Sequence, residues 1–179
     1  GVDPRDNHIL HTVSTLKTMQ MVRDACAENK CGQYNANWTC PPASGTLEEC
    51  DAWMHSYGQG ILLQTVGKLS KDIDFRSYAE IGKKHAENFQ KFCKEMRKEY
   101  PDALCLGAGV CSTCAKCAYP EPCRFPDKRT YAMEGFGLFV TQVCRDNGLQ
   151  YYYGPRTIAY TACVLFDRKE QGTERVTAE

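Results

Sequence analysis

The sequence predicts an α/β or α+β fold, a small sheet of three or four strands with packed helices and two cysteine-rich metal-binding loops, at residues 26–50 and 105–126. Helical and strand-type apolar patterns alternate along the chain, the arrangement that buries a sheet face against helices. Its 179 residues, 42% of them hydrophobic, suit a single domain with its own core. Seven of the 12 cysteines gather in two short stretches, and the other five are scattered through apolar segments.

The elements follow in order. Val13, Leu16, Met19, Val22 and Cys26 recur at helical spacing and predict a helix over residues 13–27. A loop rich in Asn, Gly and Pro runs from 30 to 44. Thr46-Leu47-Glu48-Glu49 then has the form of a capping box, and Leu47, Cys50, Met54 and Tyr57 line one face of the helix it opens. Ile61, Leu62, Leu63 and Val66, between glycines, read as a buried strand. Residues 75–100 hold the longest helical pattern, with Tyr78, Ile81, His85, Phe89, Phe92, Met96 and Tyr100 on one stripe and Pro101 after it. A strand is expected at 103–106 and a third amphipathic helix at 130–146, with Gly148 placed as its C-terminal cap. Residues 157–166, β-branched and apolar, are the last strand, and residues 167–179 read as a frayed polar tail.

Charge and composition remove several function classes. Lys plus Arg and Asp plus Glu both number 22, so nothing argues for nucleic acid or an anionic membrane surface as the main partner. No run approaches the roughly 18 apolar residues of a membrane span, and Gly1-Val2-Asp3-Pro4-Arg5-Asp6 has no apolar core of a secretory signal. Twelve cysteines in 179 residues, about 7%, fall below the roughly 8–10% of small disulfide scaffolds. Their uneven spacing reads instead as metal ligation in a reducing, cytoplasmic setting.

The densest signal is Cys111-Ser112-Thr113-Cys114-Ala115-Lys116-Cys117 followed by Cys123, a C-x2-C-x2-C-x5-C run. Three thiolates at that spacing can each reach a different iron of one cubane, as in the ferredoxin run C-x2-C-x2-C-x3-C-P. Zinc is the alternative, although zinc knuckles more usually come from separated segments. Pro120 and Pro122 restrict the path to Cys123 and leave its allegiance open. The second signal is Cys26-x4-Cys31-x8-Cys40, whose last thiol stands before Pro41-Pro42 on a stiff turn. Its fourth ligand is missing. Cys50 is the nearest thiol, but it falls on the apolar stripe of its helix, where core packing is an equal account.

Cys93, Cys105, Cys144 and Cys163 read as small buried hydrophobes, and His85 as a hydrogen-bonded core histidine. His8 and His11, at i and i+3, read as a solvated end. Gly107-Ala108-Gly109 lacks a phosphate-loop pattern and reads as room for backbone near a cluster. Tyr34, Trp38, Tyr119 and Phe125 could shield a cluster from water, and Arg124 could pair with its charge.

In Cys26-x4-Cys31, Trp38-x-Cys40-Pro41-Pro42, Thr46-Leu47-Glu48-Glu49-Cys50, Ala108-Gly109-x-Cys111-x2-Cys114-x2-Cys117-x5-Cys123-Arg124-x-Pro126 and Met133-Glu134-Gly135-Phe136-Gly137, the chain resembles a family of predicted metal-binding proteins of anaerobic bacteria and archaea, defined by a domain of unknown function. The resemblance spans most of residues 20–165 and implies cysteine-bound metal, with no activity attached.

Three functions follow. One is a redox protein with one or two [4Fe-4S] clusters, passing electrons to an enzyme or cofactor of a partner. Another is an iron–sulfur enzyme whose Cys26, Cys31 and Cys40 set leaves one iron open for reductive or sulfur chemistry. The third is a zinc-stabilised interaction domain without catalysis.

Overall fold

Residues 157–166 are apolar at nearly every position, as a strand covered on both faces must be. In the computed structural model, which describes residues 7–9 and 13–167, this segment is β5 (Thr157–Phe166). It lies at the centre of a sheet that, among the described residues, has five strands. Their spatial order is β1 (Asn7–Ile9), β2 (Gln59–Lys68), β5, β3 (Leu104–Gly107) and β4 (Tyr131–Ala132). The β1–β2, β2–β5 and β5–β3 pairs are antiparallel and β3–β4 is parallel, so the fold is α+β with a mixed sheet. The three strands legible in the sequence are the central ones. The edge strands are two or three residues long, too short to carry a period of two.

Alternate side chains of the central strands enter two cores. Leu63, Cys105, Ala162, Val164 and Phe166 meet Phe89 and Cys93 of the long helix α3 (Phe75–Glu99). Leu62, Leu104, Leu106, Cys163 and Leu165 meet Cys50 and Met54 of α2 (Leu47–His55), Val143 and Cys144 of α4 (Val140–Asp146), and Leu16, Phe136 and Leu138. The helix α2 has the expected capping box: Glu49 N donates to Thr46 Oγ1 and Thr46 N to Glu49 Oε2. On α4 the Leu149 N–H reaches the Cys144 carbonyl and the Gly148 N–H that of Arg145, with Gly148 at φ +73°, a Schellman closure.

Two expected helices are shorter than their patterns. Residues 13–27 divide into a 3₁₀ turn (Val13–Thr15) and α1 (Gln20–Ala27). Between them Thr18 bridges to Leu138 and its hydroxyl donates to Asp51 Oδ1, so tertiary pairing overrides helical periodicity. Residues 130–146 divide into β4, a 3₁₀ turn (Glu134–Phe136) and α4, because Gly137 takes φ +78° and breaks the run. His8, His11 and the tail after Asp167 lie outside the residues whose side chains are described.

The parallel β3–β4 pair determines where the site forms. Parallel neighbours need a crossover of a dozen or more residues, usually a helix. Here residues 108–130 make it, and they hold the dense cysteine run with only a 3₁₀ turn (Pro126–Lys128) for regular structure. The carboxyl ends of both parallel strands therefore open into the cysteine loops.

Candidate metal centre

Thr39 joins the two cysteine loops. The Cys111 N–H donates to Thr39 Oγ1 at 3.3 Å and the Ala132 N–H to Thr39 O at 3.5 Å. Trp38 Nε1 donates to Glu121 O at 2.8 Å, the Tyr119 hydroxyl donates to Asn35 Oδ1, and the two rings meet edge to face at 5.1 Å. The Pro41–Pro42 and Tyr119–Pro120 peptide bonds are cis. Trp38 and Tyr119, two of the aromatics noted in the sequence, thus bind one loop to the other.

Cys111, Cys114, Cys117 and Cys123 all line one small cavity of about 30 Å³, closed by Trp38, Thr39, Phe125 and Arg129. All four thiols are half-buried. Gln90 of α3 donates to Ser112 Oγ at 3.3 Å, and Thr113 donates to Lys128 O at 3.1 Å, anchoring the start of the run. The volume is about that of one water in the liquid, so an inorganic cluster requires the walls to move outward. A segment without helix or strand can do so. Burial pushes the Cys111 thiol up, but hydrogen bonds with Thr113 and Thr130 outweigh it and the thiol lies below its ordinary value. Arg129, which lies beside Cys123, has its Nε buried without a hydrogen-bond partner among the described residues, while Nη1 donates to the Tyr131 hydroxyl. An unpaired guanidinium N–H on a residue that shares a cavity wall with the four cysteines is what an anionic thiolate-bound cluster would satisfy. The donor set and this unpaired N–H fit such a group. Arg124, named from the sequence for that role, also lines this cavity; it is largely exposed and donates from Nη1 to Lys116 O.

Cys26, Cys31 and Cys40 line a second and larger cavity, about 450 Å³, with Tyr34, Gly109 and Glu134 among its other walls. Cys26 stands in the last turn of α1, its Sγ 3.8 Å from Glu134 O. Asn29 at φ +53° turns the chain, and its side chain accepts from Tyr34 N. Burial raises the Cys26 thiol, with Glu134 and Cys31 adding to it; burial also raises Cys40, against a hydrogen bond from Asn37. Glu134 keeps part of its surface in solvent, yet the surrounding protein withdraws enough water to raise its carboxyl pKa. The two cavities are neighbours along the chain, since Thr39 lines the first and Cys40 the second.

Cys50 is not in either set. Its side chain is 1% exposed, packs in the core and donates to Ser44 O. Cys93, Cys105, Cys144 and Cys163 are buried in the two cores, as their apolar context implied. A hydrogen bond to Cys105, with burial, pushes the Cys93 thiol well up, and burial, with Cys105 adding to it, does so for Cys163, so neither is a ready thiolate. His85 shares a hydrogen bond with Thr65 and is held neutral by burial, its pKa lowered to about 4. Of the glycines before the dense run, only Gly109, at φ +125°, borders the site; Gly107 lets Phe89 pack, where a Cβ would lie 2.9 Å from its ring. Among the described residues no three His, Cys, Asp or Glu side chains close on a point as the ligands of a single ion would.

One protein-family model matches residues 10–166, nearly the whole described chain. The chain belongs to the family described as predicted metal-binding protein (DUF2284). No curated protein and no solved structure matches. Two residues of the site escaped the sequence reading. Glu134 stood in the quoted Met133-Glu134-Gly135-Phe136-Gly137 motif without a role, and Arg129 had no motif to mark it.

Proposed function

We propose that this metal-binding protein is a cytoplasmic iron–sulfur redox protein. Cys111, Cys114, Cys117 and Cys123 would hold a [4Fe-4S] cluster, and Cys26, Cys31 and Cys40 would hold a second. The cluster supplies reversible one-electron chemistry when bound. The observation that carries this reading is the gathering of all four dense-loop cysteines around one cavity beside the unpaired Arg129 Nε. Half-buried thiols at a loop surface suit electron exchange with a partner enzyme or its cofactor, and Thr39–Cys40 offers a short covalent path between the two sets.

The 450 Å³ cavity favours a second reading, in which the three-cysteine set is a reaction site. That volume lies within the roughly 300–1,000 Å³ of small-molecule pockets, and the set has one thiol too few for a closed cubane. Reductive or sulfur chemistry at the remaining iron would use this cavity to admit and orient the reactant.

Anaerobic purification tests the shared premise. A brown protein with broad visible absorption that bleaches with dithionite, and with iron and sulfide in equal amounts, is expected; a colourless protein with stoichiometric zinc would replace this reading with the zinc-stabilised domain.

A further inference from the structure

The three-cysteine set shares its cavity with one carboxylate. Glu134 is the sole carboxylate among the described residues lining its cavity. Its placement is built into the fold. The 3₁₀ turn after β4 carries it, and Arg23 of α1 holds that turn by donating from Nη1 to Gly135 O at 2.9 Å and from Nη2 to Gly45 O at 2.7 Å. Gly135 lies flush against the loop that bears Cys40: a Cβ there would stand 3.3 Å from Thr39 O and 3.6 Å from Pro41 Cδ. The turn therefore presses onto the cysteine loop with no side chain between, and Cys26 contacts Glu134 O from the other side. The Glu134 charge is felt at both Cys26 and Cys40. Cys50, the thiol nearest in sequence, is sealed in the core by Ser44 and Arg23.

We infer that the Glu134 carboxylate is the fourth protein ligand of the centre held by Cys26, Cys31 and Cys40, binding the iron that no cysteine reaches. The inference rests on that set holding a cluster. It gives the second centre a mixed thiolate–carboxylate shell, unlike the all-thiolate shell of the dense loop. A hard oxygen donor on an iron that otherwise has soft sulfur neighbours is the ligand most readily exchanged. The carboxylate would keep that iron in place until a reactant in the cavity displaces it.

The test uses the full chain reconstituted anaerobically with isotopically enriched iron. Mössbauer spectra should show one iron of the second cluster distinct from its sulfur-bound neighbours. Glu134→Cys should abolish that distinct iron. Glu134→Gln should increase the three-iron paramagnetic signal formed on mild oxidation about threefold or more, and Glu134→Asp should fall between Gln and wild type. The dense-loop cluster, retained in each variant, reports that the chain is folded. Two clusters with spectra and three-iron yields indifferent to residue 134 would overturn the assignment while leaving the two-cluster reading intact. Iron for one cluster only, unchanged by Cys26→Ala, would instead overturn the three-cysteine centre itself and this inference with it.

Discussion

Single side chains separate the proposed ligands from packing. Cys114 borders the dense-loop cavity, whereas Cys144 is fully buried and shares a weak hydrogen bond with Thr161. Cys114→Ala should lose about one cluster's worth of iron, and Cys144→Ala should keep all of it; equal losses would erase the distinction between site and core thiols. Arg129 offers a test that no stability argument mimics. Its charge and unpaired Nε favour electrons on a neighbouring cluster, so Arg129→Met should lower the reduction potential by about 50 mV, roughly 1 kcal/mol for one electron. Redox titration of the variant checks this, and an unchanged potential would mean that Arg129 does not face the cluster. The sequence made the cysteines visible because thiol spacing is local. It hid Glu134 and Arg129, whose roles arise only when residues distant in sequence are brought to the same cavity wall.

At the scale of elements, α3 and the sheet fit each other through missing side chains. A Cβ on Gly67 of β2 would lie 2.2 Å from Ile81 Cδ1 and 2.6 Å from its Cγ1, contacts that end-of-chain rotation does not relieve. Gly67→Ala should therefore force the helix outward and cost about 1–3 kcal/mol, read as a drop of several degrees in Tm; an unchanged Tm would show that α3 does not bear on β2 here. The same helix begins at Asp74, whose carboxylate accepts from Ser70 and Ser77 side chains and amides, hydrogen bonds that hold its pKa well below the usual carboxylate range. With the folded pKa below the unfolded value of about 3.9, this contribution is complete above that pH and is lost as pH falls below it. The wild-type Tm should fall more steeply below pH about 4 than that of Asp74→Asn, which keeps an acceptor without a titrating charge. Superimposable curves would contradict the account. These elements were legible because their patterns are long: 25 residues in α3 and ten each in β2 and β5. The helices expected at 13–27 and 130–146 shrank where Thr18 pairs with Leu138 and where Gly137 turns left-handed, one a long-range event and the other a local signal outweighed by the apolar period around it.

Across the whole molecule, the sheet supplies a floor and the parallel β3–β4 crossover supplies the dense cysteine run, so one topological necessity, a long connection, becomes the segment proposed to bear metal. The loop at 26–40 is joined to it by Thr39 and Trp38. Strand order was not legible, because nothing local in the apolar runs distinguishes the β5 centre from an edge. The central claim is that both loops hold inorganic clusters. Iron and sulfide analysis of the anaerobically purified and reconstituted chain tests it most directly. The account predicts two [4Fe-4S] clusters per chain, falling to one in Cys114→Ala. A folded chain that takes up no iron or sulfide under these conditions would contradict it.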